Sequence, residues 1–183
     1  MRIIAGKWRG RPLAAPPGEA TRPTADRVRE ALFSMLTSRL GSFEGLRFGD
    51  IFAGTGALGL EALSRGAAAA VFVDNDTAAI KILRANIASL DAAAACDVFT
   101  QTAATVGRAR APCDMLLLDP PYGEGLAAPA LARLDAQGWI APFALISVET
   151  AARELLDVPG FTIEVSRKIG QAAVHLLRKD VAA

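Results

Sequence analysis

From residue 47 onward the chain alternates two hydrophobic periods, and nothing else in the sequence restricts its fold as much. Arg47–Phe52, Ala70–Asp74, Ala95–Gln101, Met115–Leu118 and Phe143–Glu149 are short apolar runs that read as strands. Stretches near 57–65, 76–90, 102–110 and 125–137 carry helical spacing between them. Strands separated by helices do not pair as hairpins; they line up in parallel, with crossover helices on both faces of the sheet. Gly66 stands where the first crossover helix should end, and Asp76 or Thr77 can cap the next. The last pair differs. Phe161–Lys168 and Ala172–Arg178 flank Gly170-Gln171, which predicts a hairpin and hence an antiparallel closure of an otherwise parallel, seven-stranded α/β sheet.

Residues 1–23 have another character. Ile3-Ile4 and Leu13 are brief apolar beats among Gly6, Gly10, Pro12, Pro16, Pro17 and Gly18, which predicts a small hairpin or extended arm ahead of a body spanning 24–183. Thr24 is placed to cap a helix running to about Leu40, with Val28, Leu32, Met35, Leu36 and Leu40 as its inward stripe. Arg22, Arg27 and Arg29 cluster at the start of that helix, where cations are disfavoured; a partner anion or plain solvation can offset the cost.

With 183 residues, 52% of them hydrophobic, the chain suits one compact domain, although 38 alanines dilute the core. The net charge of +1 excludes a polybasic, histone-like protein and an acidic disordered one. It is also unevenly spread: residues 1–30 carry +4, residues 31–163 carry −5 and residues 164–183 carry +2. Cys96 and Cys113 fall in expected strands and read as reduced core thiols. They and a single histidine, His175, lack metal-ligand spacing, so no metal is expected. No apolar run approaches the ~20 residues of a membrane span and the N-terminus lacks the apolar core of a signal peptide, so a cytoplasmic protein is expected.

Asp50-Ile-Phe-Ala-Gly54-Thr-Gly56-Ala-Leu-Gly59 lies where the first strand meets the first crossover helix, and Asp74 ends the next strand. Glycines there let the backbone turn tightly and approach a ligand, and a carboxylate at the next strand end accepts from ribose hydroxyls. An adenosine-containing cofactor follows, either NAD or S-adenosylmethionine. NAD would put a pyrophosphate at the helix N-terminus. S-adenosylmethionine carries an ammonium and a sulfonium, which a carboxylate at Asp50 would favour.

The segment Met115-Leu-Leu-Leu-Asp119-Pro120-Pro121-Tyr122 decides between them. In an open α/β sheet it should face the glycine loop. An exocyclic amine of a nucleobase is a poor nucleophile because its lone pair is delocalised into the ring. Two acceptors, the Asp119 carboxylate and the Pro120 carbonyl, can hold its hydrogens and pull the nitrogen toward tetrahedral geometry, while Tyr122 stacks on the base. The two prolines stiffen the loop and remove competing N–H donors.

On these motifs the sequence resembles the class I S-adenosylmethionine-dependent methyltransferases, whose fold is Rossmann-like. More closely it resembles the bacterial 16S ribosomal RNA guanine-N2 methyltransferases of the RsmD type. The closer likeness rests on Met1–Arg11, Arg22-Pro-Thr-Ala-Asp-Arg-Val-Arg-Glu30, Phe52–Gly66 and Asp119–Tyr122. The resemblance implies methyl transfer from S-adenosylmethionine to the N2 amine of a guanine in small-subunit rRNA, free or within a 30S particle, by a monomer. It implies cofactor contacts at Asp50, Ala53, Gly54, Gly56 and Asp74, a guanine held by Asp119, Pro120 and Tyr122, and a substrate entrance at Arg22 and Thr24. Many relatives hold the adenine amino group with an aspartate that Thr100-Gln-Thr-Ala103 lacks, which leaves Thr102 or a backbone group for that task. Lys7, Trp8, Arg9 and Arg11 are expected to meet RNA phosphates and bases.

Three other readings compete. An adenine-N6 methyltransferase of DNA or RNA shares the Asp-Pro-Pro-Tyr logic but normally carries a target-recognition region absent here. An NAD-dependent oxidoreductase explains Gly54–Gly59 and gives Asp119–Tyr122 no task, and His175 in a terminal strand reads as structural. A non-catalytic RNA-binding assembly module fits the basic arm alone.

Overall fold

The computed structural model describes residues 1–16 and 23–180, with side chains in the second stretch from residue 25 onward. After helix α1 (Pro23–Leu40) come β1 (Arg47–Ile51), α2 (Ala57–Ser64), β2 (Ala69–Asp74), α3 (Thr77–Ser89), β3 (Cys96–Thr100), β4 (Cys113–Leu118), α4 (Ala127–Ala136), β5 (Ile140–Ala151), β6 (Phe161–Ile169) and β7 (Ala172–Lys179). They build one seven-stranded sheet in the order β3-β2-β1-β4-β5-β7-β6. The first five strands pair in parallel; β7 inserts antiparallel between β5 and β6.

Side chains alternate across this sheet with the period of two that a strand imposes. Ala70, Phe72, Met115 and Leu117 point into one apolar cluster, with α1, α2 and α3. Val71, Val73, Leu116 and Leu118 point into the other, with α4. Both faces of the central strands are therefore buried, and near-continuous apolar runs such as Met115–Leu118 result. The chain leaves β1 toward β2 on one side and reaches β4 on the other, so the strand order reverses between β1 and β4. That reversal is where an open α/β sheet leaves a crevice at its carboxyl edge.

The helix caps are local chemistry. The Asp76 carboxylate accepts from Ala78 N–H at 2.8 Å and starts α3. Helix α2 is closed by Gly66, just past its C-cap Arg65 and at φ 111°, with Gly66 N–H donating to Leu63 O and Ala67 N–H to Ala62 O, the paired bonds of a glycine-terminated helix.

Two expectations fail. Residues 102–110 form no helix; the crossover from β3 to β4 is irregular chain with one turn, Thr105 N–H to Thr102 O. Gly107, Pro112 and two β-branched threonines oppose a helix, and tertiary partners replace its bonds. Arg133 Nε donates to Val106 O and Trp139 Nε1 to Gly107 O, each at 2.8 Å, while Ala103 and Val106 anchor the segment in the core. Thr24 does not precede α1 as a cap. The helix already begins at Pro23, whose fixed φ suits a first helical position, so Thr24 lies in the first turn. Strand β5 also runs longer than Phe143–Glu149, across a register shift opposite Cys113–Met115 where Phe143 takes φ 66°.

The N-terminal segment is a docked hairpin. Arg2 bridges Pro12, Ile3 and Leu13 are buried, and the polar anchors come from α2 and α3. Ile4 N–H and Ala5 N–H donate to the two oxygens of Glu61 at 2.7 and 3.0 Å. Ser64 Oγ accepts from Trp8 N–H and donates to Ala5 O. Ala14 exchanges two bonds with the Asn86 amide. Gly6 approaches α2 so closely that a Cβ would lie 1.8 Å from Ser64 O.

Candidate active site

Four carboxylates lie at or near the carboxyl ends of four neighbouring strands, β2, β1, β4 and β5. Register pairs Asp50 with Phe72 and Leu117, and Leu118 with Val148, so Asp74 closes β2, Asp119 follows β4 and Glu149 stands beside Asp119 on β5. Four of the fourteen acidic residues in 31–163 thus lie around the point where the strand order reverses.

The glycine loop is shaped by two of them. Asp50 is 1% exposed, and its Oδ2 accepts from Gly59 N–H at 2.8 Å, fixing the first turn of α2. Burial, reinforced by Asp119 and Asp74, pushes the Asp50 carboxyl up to about 8 against the lowering effect of the Gly59 bond. Asp74 accepts from Gly54 N–H at 2.7 Å through Oδ2 and from Asp76 N–H at 2.8 Å through Oδ1. Both oxygens are thereby oriented, each with a further lone pair. Glycine is required for different reasons along the loop. A Cβ at Gly56 would lie 2.2 Å from Leu83, and one at Gly59 2.4 Å from Phe72, whereas Gly54, φ 53°, has open space where a Cβ would stand. Packing therefore explains Gly56 and Gly59, and an approachable backbone explains Gly54. Ala53 donates its N–H to Val73 O and is nearly buried.

A cleft of about 640 Å³ is lined by Asp119, Tyr122, Glu149, Arg27, Val28 and the β6–β7 turn, within the ~300–1,000 Å³ of small-ligand sites. Asp119 is open to water along this cleft yet walled by protein, and the lost hydration, with the neighbouring charge of Glu149, raises its carboxyl to about 7. Glu149 is raised too, by burial, although the Tyr122 hydroxyl opposes this by donating to its Oε1 at 2.5 Å. Tyr122 is 48% exposed, so its ring is accessible for stacking while its hydroxyl is held. Glu154 Oε2 accepts from Gly123 N–H and Ala151 N–H at 3.2 Å each and ties the loop to the end of β5.

The remaining expected residues are scattered around this centre. Thr102 is exposed at the end of β3, its hydroxyl 2.7 Å from that of Thr105. Lys7 Nζ stands 4.2 Å over the half-buried Trp8 ring. Arg11 donates to Ser89 O at the end of α3, and Arg9 is exposed beside Arg2 and Arg27 in a second hollow. Arg22 and the Thr24 side chain lie outside the described residues. Arg29 is no surface cation: it is buried and donates to Arg2 O and Asp26. Cys96 and Cys113 are free thiols pushed up by burial to about 12 and 11. His175 is lowered by burial and holds the hydroxyls of Thr150 and Ser166 between strands.

Glu149, Arg27 and Glu154 are missing from the residues expected to act here. Glu149 ends an expected strand as Asp74 and Asp119 do, and that position was the readable signal.

Residues 1–178 match the family described as Conserved hypothetical protein 95. The chain is 38% identical over 182 residues to Ribosomal RNA small subunit methyltransferase D of Escherichia coli (strain K12), covering 98% of this chain and 90% of that relative. It is 38% identical over 163 residues to the Haemophilus influenzae protein of the same name, covering 87% and 83%. The solved structure of yhhF from Escherichia coli matches with a TM-score of 0.85 at 38% identity, covering 98% of each chain.

Proposed function

The chain belongs to the Conserved hypothetical protein 95 family, and from that membership and its cleft we propose a methyltransferase that modifies the N2 amine of a guanine in small-subunit ribosomal RNA. The observation that carries the reading is that the glycine loop and the Asp119-Pro-Pro-Tyr122 loop leave the adjacent strands β1 and β4 where the strand order reverses, on a class I methyltransferase fold, with Asp119 close enough to Asp50 to raise its carboxyl.

The residues fit S-adenosylmethionine. Gly54 leaves its backbone approachable, and Asp74 presents two oriented oxygens to ribose hydroxyls. Asp50 shapes the loop through Gly59, its own oxygens are buried, and a bound cation would favour its ionised form. Ala53 and Gly56 complete the loop, and Thr102 is an exposed hydroxyl two residues past the end of β3. The cofactor supplies an electrophilic methyl carbon on a sulfonium. Asp119 and the Pro120 carbonyl accept the amine hydrogens and aim the nitrogen lone pair, and Tyr122 stacks on a base turned out of the RNA. A neutral amine in this geometry needs no strong base, because it becomes acidic as it is alkylated.

Lys7, Trp8, Arg9, Arg11, Arg22 and Thr24, together with Arg27 at the mouth of the cleft, are assigned to RNA, with Arg9 exposed in the hollow it shares with Arg2 and Arg27. Among the described residues no helix is long and apolar enough to cross a membrane. The proposed site of action is the cytoplasm, on rRNA free or in a 30S particle, by a monomer.

Tritiated methyl transfer to rRNA from cells lacking this gene, comparing free RNA with small subunits and mapping the product, tests the reading. Label on guanine N2 is expected. Label on adenine N6, or calorimetric binding of NADH in preference to S-adenosylhomocysteine, would replace it.

A further inference from the structure

The cleft holds a carboxylate for which amine positioning has no use. Glu149 leaves β5 beside Asp119, one step beyond the Leu118–Val148 pair, and both line the same 640 Å³ space. Asp119 and the Pro120 carbonyl already account for both hydrogens of one amine. Glu149 accepts only the Tyr122 hydroxyl among the described residues, through Oε1.

We infer that Glu149 is the guanine selector: its carboxylate accepts the N1–H of the target base while Asp119 accepts from the neighbouring N2 amine. The inference rests on the guanine-N2 reading above. Guanine presents N1–H and N2–H side by side on its Watson–Crick edge, two donors in a row that suit two acceptors in a row. Adenine presents a bare N1 acceptor there, which a carboxylate repels. Selection therefore comes from an attraction to one base and an unpaired, repelled atom on the other.

The Tyr122 bond explains how the selector stays satisfied before the base arrives. A half-buried carboxylate without a donor is costly, and the phenol supplies one. The entering N1–H takes its place, and the ring is then free to turn onto the base. The loop backbone does not need to move, because Glu154 holds Gly123 from the other side.

The test pairs a side-chain change with an atomic change in the base. RNA carrying 2-aminopurine at the target keeps the N2 amine and lacks N1–H. Single-turnover kcat/KM on guanine and 2-aminopurine RNA gives a preference, and the fluorescence of 2-aminopurine gives the same preference as affinity by competition. The wild-type protein should prefer guanine by roughly 10- to 100-fold, the worth of a charge-assisted hydrogen bond. Glu149→Gln should bring the ratio near one, with S-adenosylhomocysteine affinity unchanged. Tyr122→Phe should lower turnover on both bases and keep the ratio, since it removes the phenol bond alone. An unaltered preference in Glu149→Gln overturns the inference and leaves Glu149 as a holder of Tyr122. Should a melt show that variant unfolded, Glu149→Asp carries the test: a smaller fall in the ratio is expected, and no fall overturns it. A wild-type protein that transfers no methyl to guanine N2 instead overturns the reading on which the inference stands.

Discussion

Glu61 within α2 and the three carboxylates Asp50, Asp119 and Glu149 near the carboxyl edge of the sheet are treated differently by the protein. Glu61, fully buried beneath the N-terminal hairpin, accepts from two backbone N–H groups and from Arg65 Nε at 2.7 Å, and Arg65 itself lies over the Phe33 ring. Its oxygens are completed by the chain. Asp50, Asp119 and Glu149 crowd the carboxyl edge of the sheet with fewer donors, and all three are raised above the ordinary carboxylate range. A carboxylate satisfied by its own protein holds structure together; carboxylates left short of donors are costs that a ligand bearing cations and N–H groups removes.

That contrast can be broken in four places. The largest effect on folding should come from Glu61→Ala, which strands two hairpin N–H groups and the Arg65 guanidinium. A loss of about 3–5 kcal/mol is expected in urea unfolding. Asp119→Ala should do the reverse, with methyl transfer falling by about 10²–10³-fold and the melting temperature unchanged or higher, since a crowded charge is removed. Measured loss of stability in Asp119→Ala, or none in Glu61→Ala, would erase the distinction.

The acidic edge should next show itself in pH dependence. Asp50 and Asp119 hold their protons more tightly folded than unfolded, so the folded state binds more protons between about pH 4, the unfolded value, and about 7–8. Stability of the ligand-free protein should therefore decline as pH rises through that window, and Asp50→Asn, which keeps an acceptor for Gly59 N–H, should flatten the decline. By the same titration kcat/KM should climb with pH through about 7 as Asp119 becomes a carboxylate. Smallest of all, Lys7→Ala with Arg9→Ala should leave unfolding within about 0.5 kcal/mol and reduce the salt slope of RNA binding by roughly one per phosphate contact removed.

The parallel sheet, the glycine loop and Asp119–Tyr122 were legible because each is local: an apolar run, its punctuation and a carboxylate at its end. Residues 102–110 misled for the same reason. Alanine-rich spacing there suggested a helix, and the bonds that replace it come from Arg133 and Trp139, some thirty positions away. Glu149 could be placed on a strand but not beside Asp119, since parallel register is set by neighbours far along the chain. Glu61 was invisible for the deepest reason: in sequence it is an acid on a helix, and only the docked hairpin makes it a core residue.

That hairpin also fixes a sequence of events. Its anchors, Glu61, Ser64 and Asn86, follow the residues they bind by more than fifty positions, so during synthesis the hairpin lacks its full set of partners until α3 has emerged. Asn86 closes the circuit, because its Nδ2 also donates to Thr55 O in the glycine loop at 3.0 Å. The hairpin and the glycine loop are thus secured together, by one late amide.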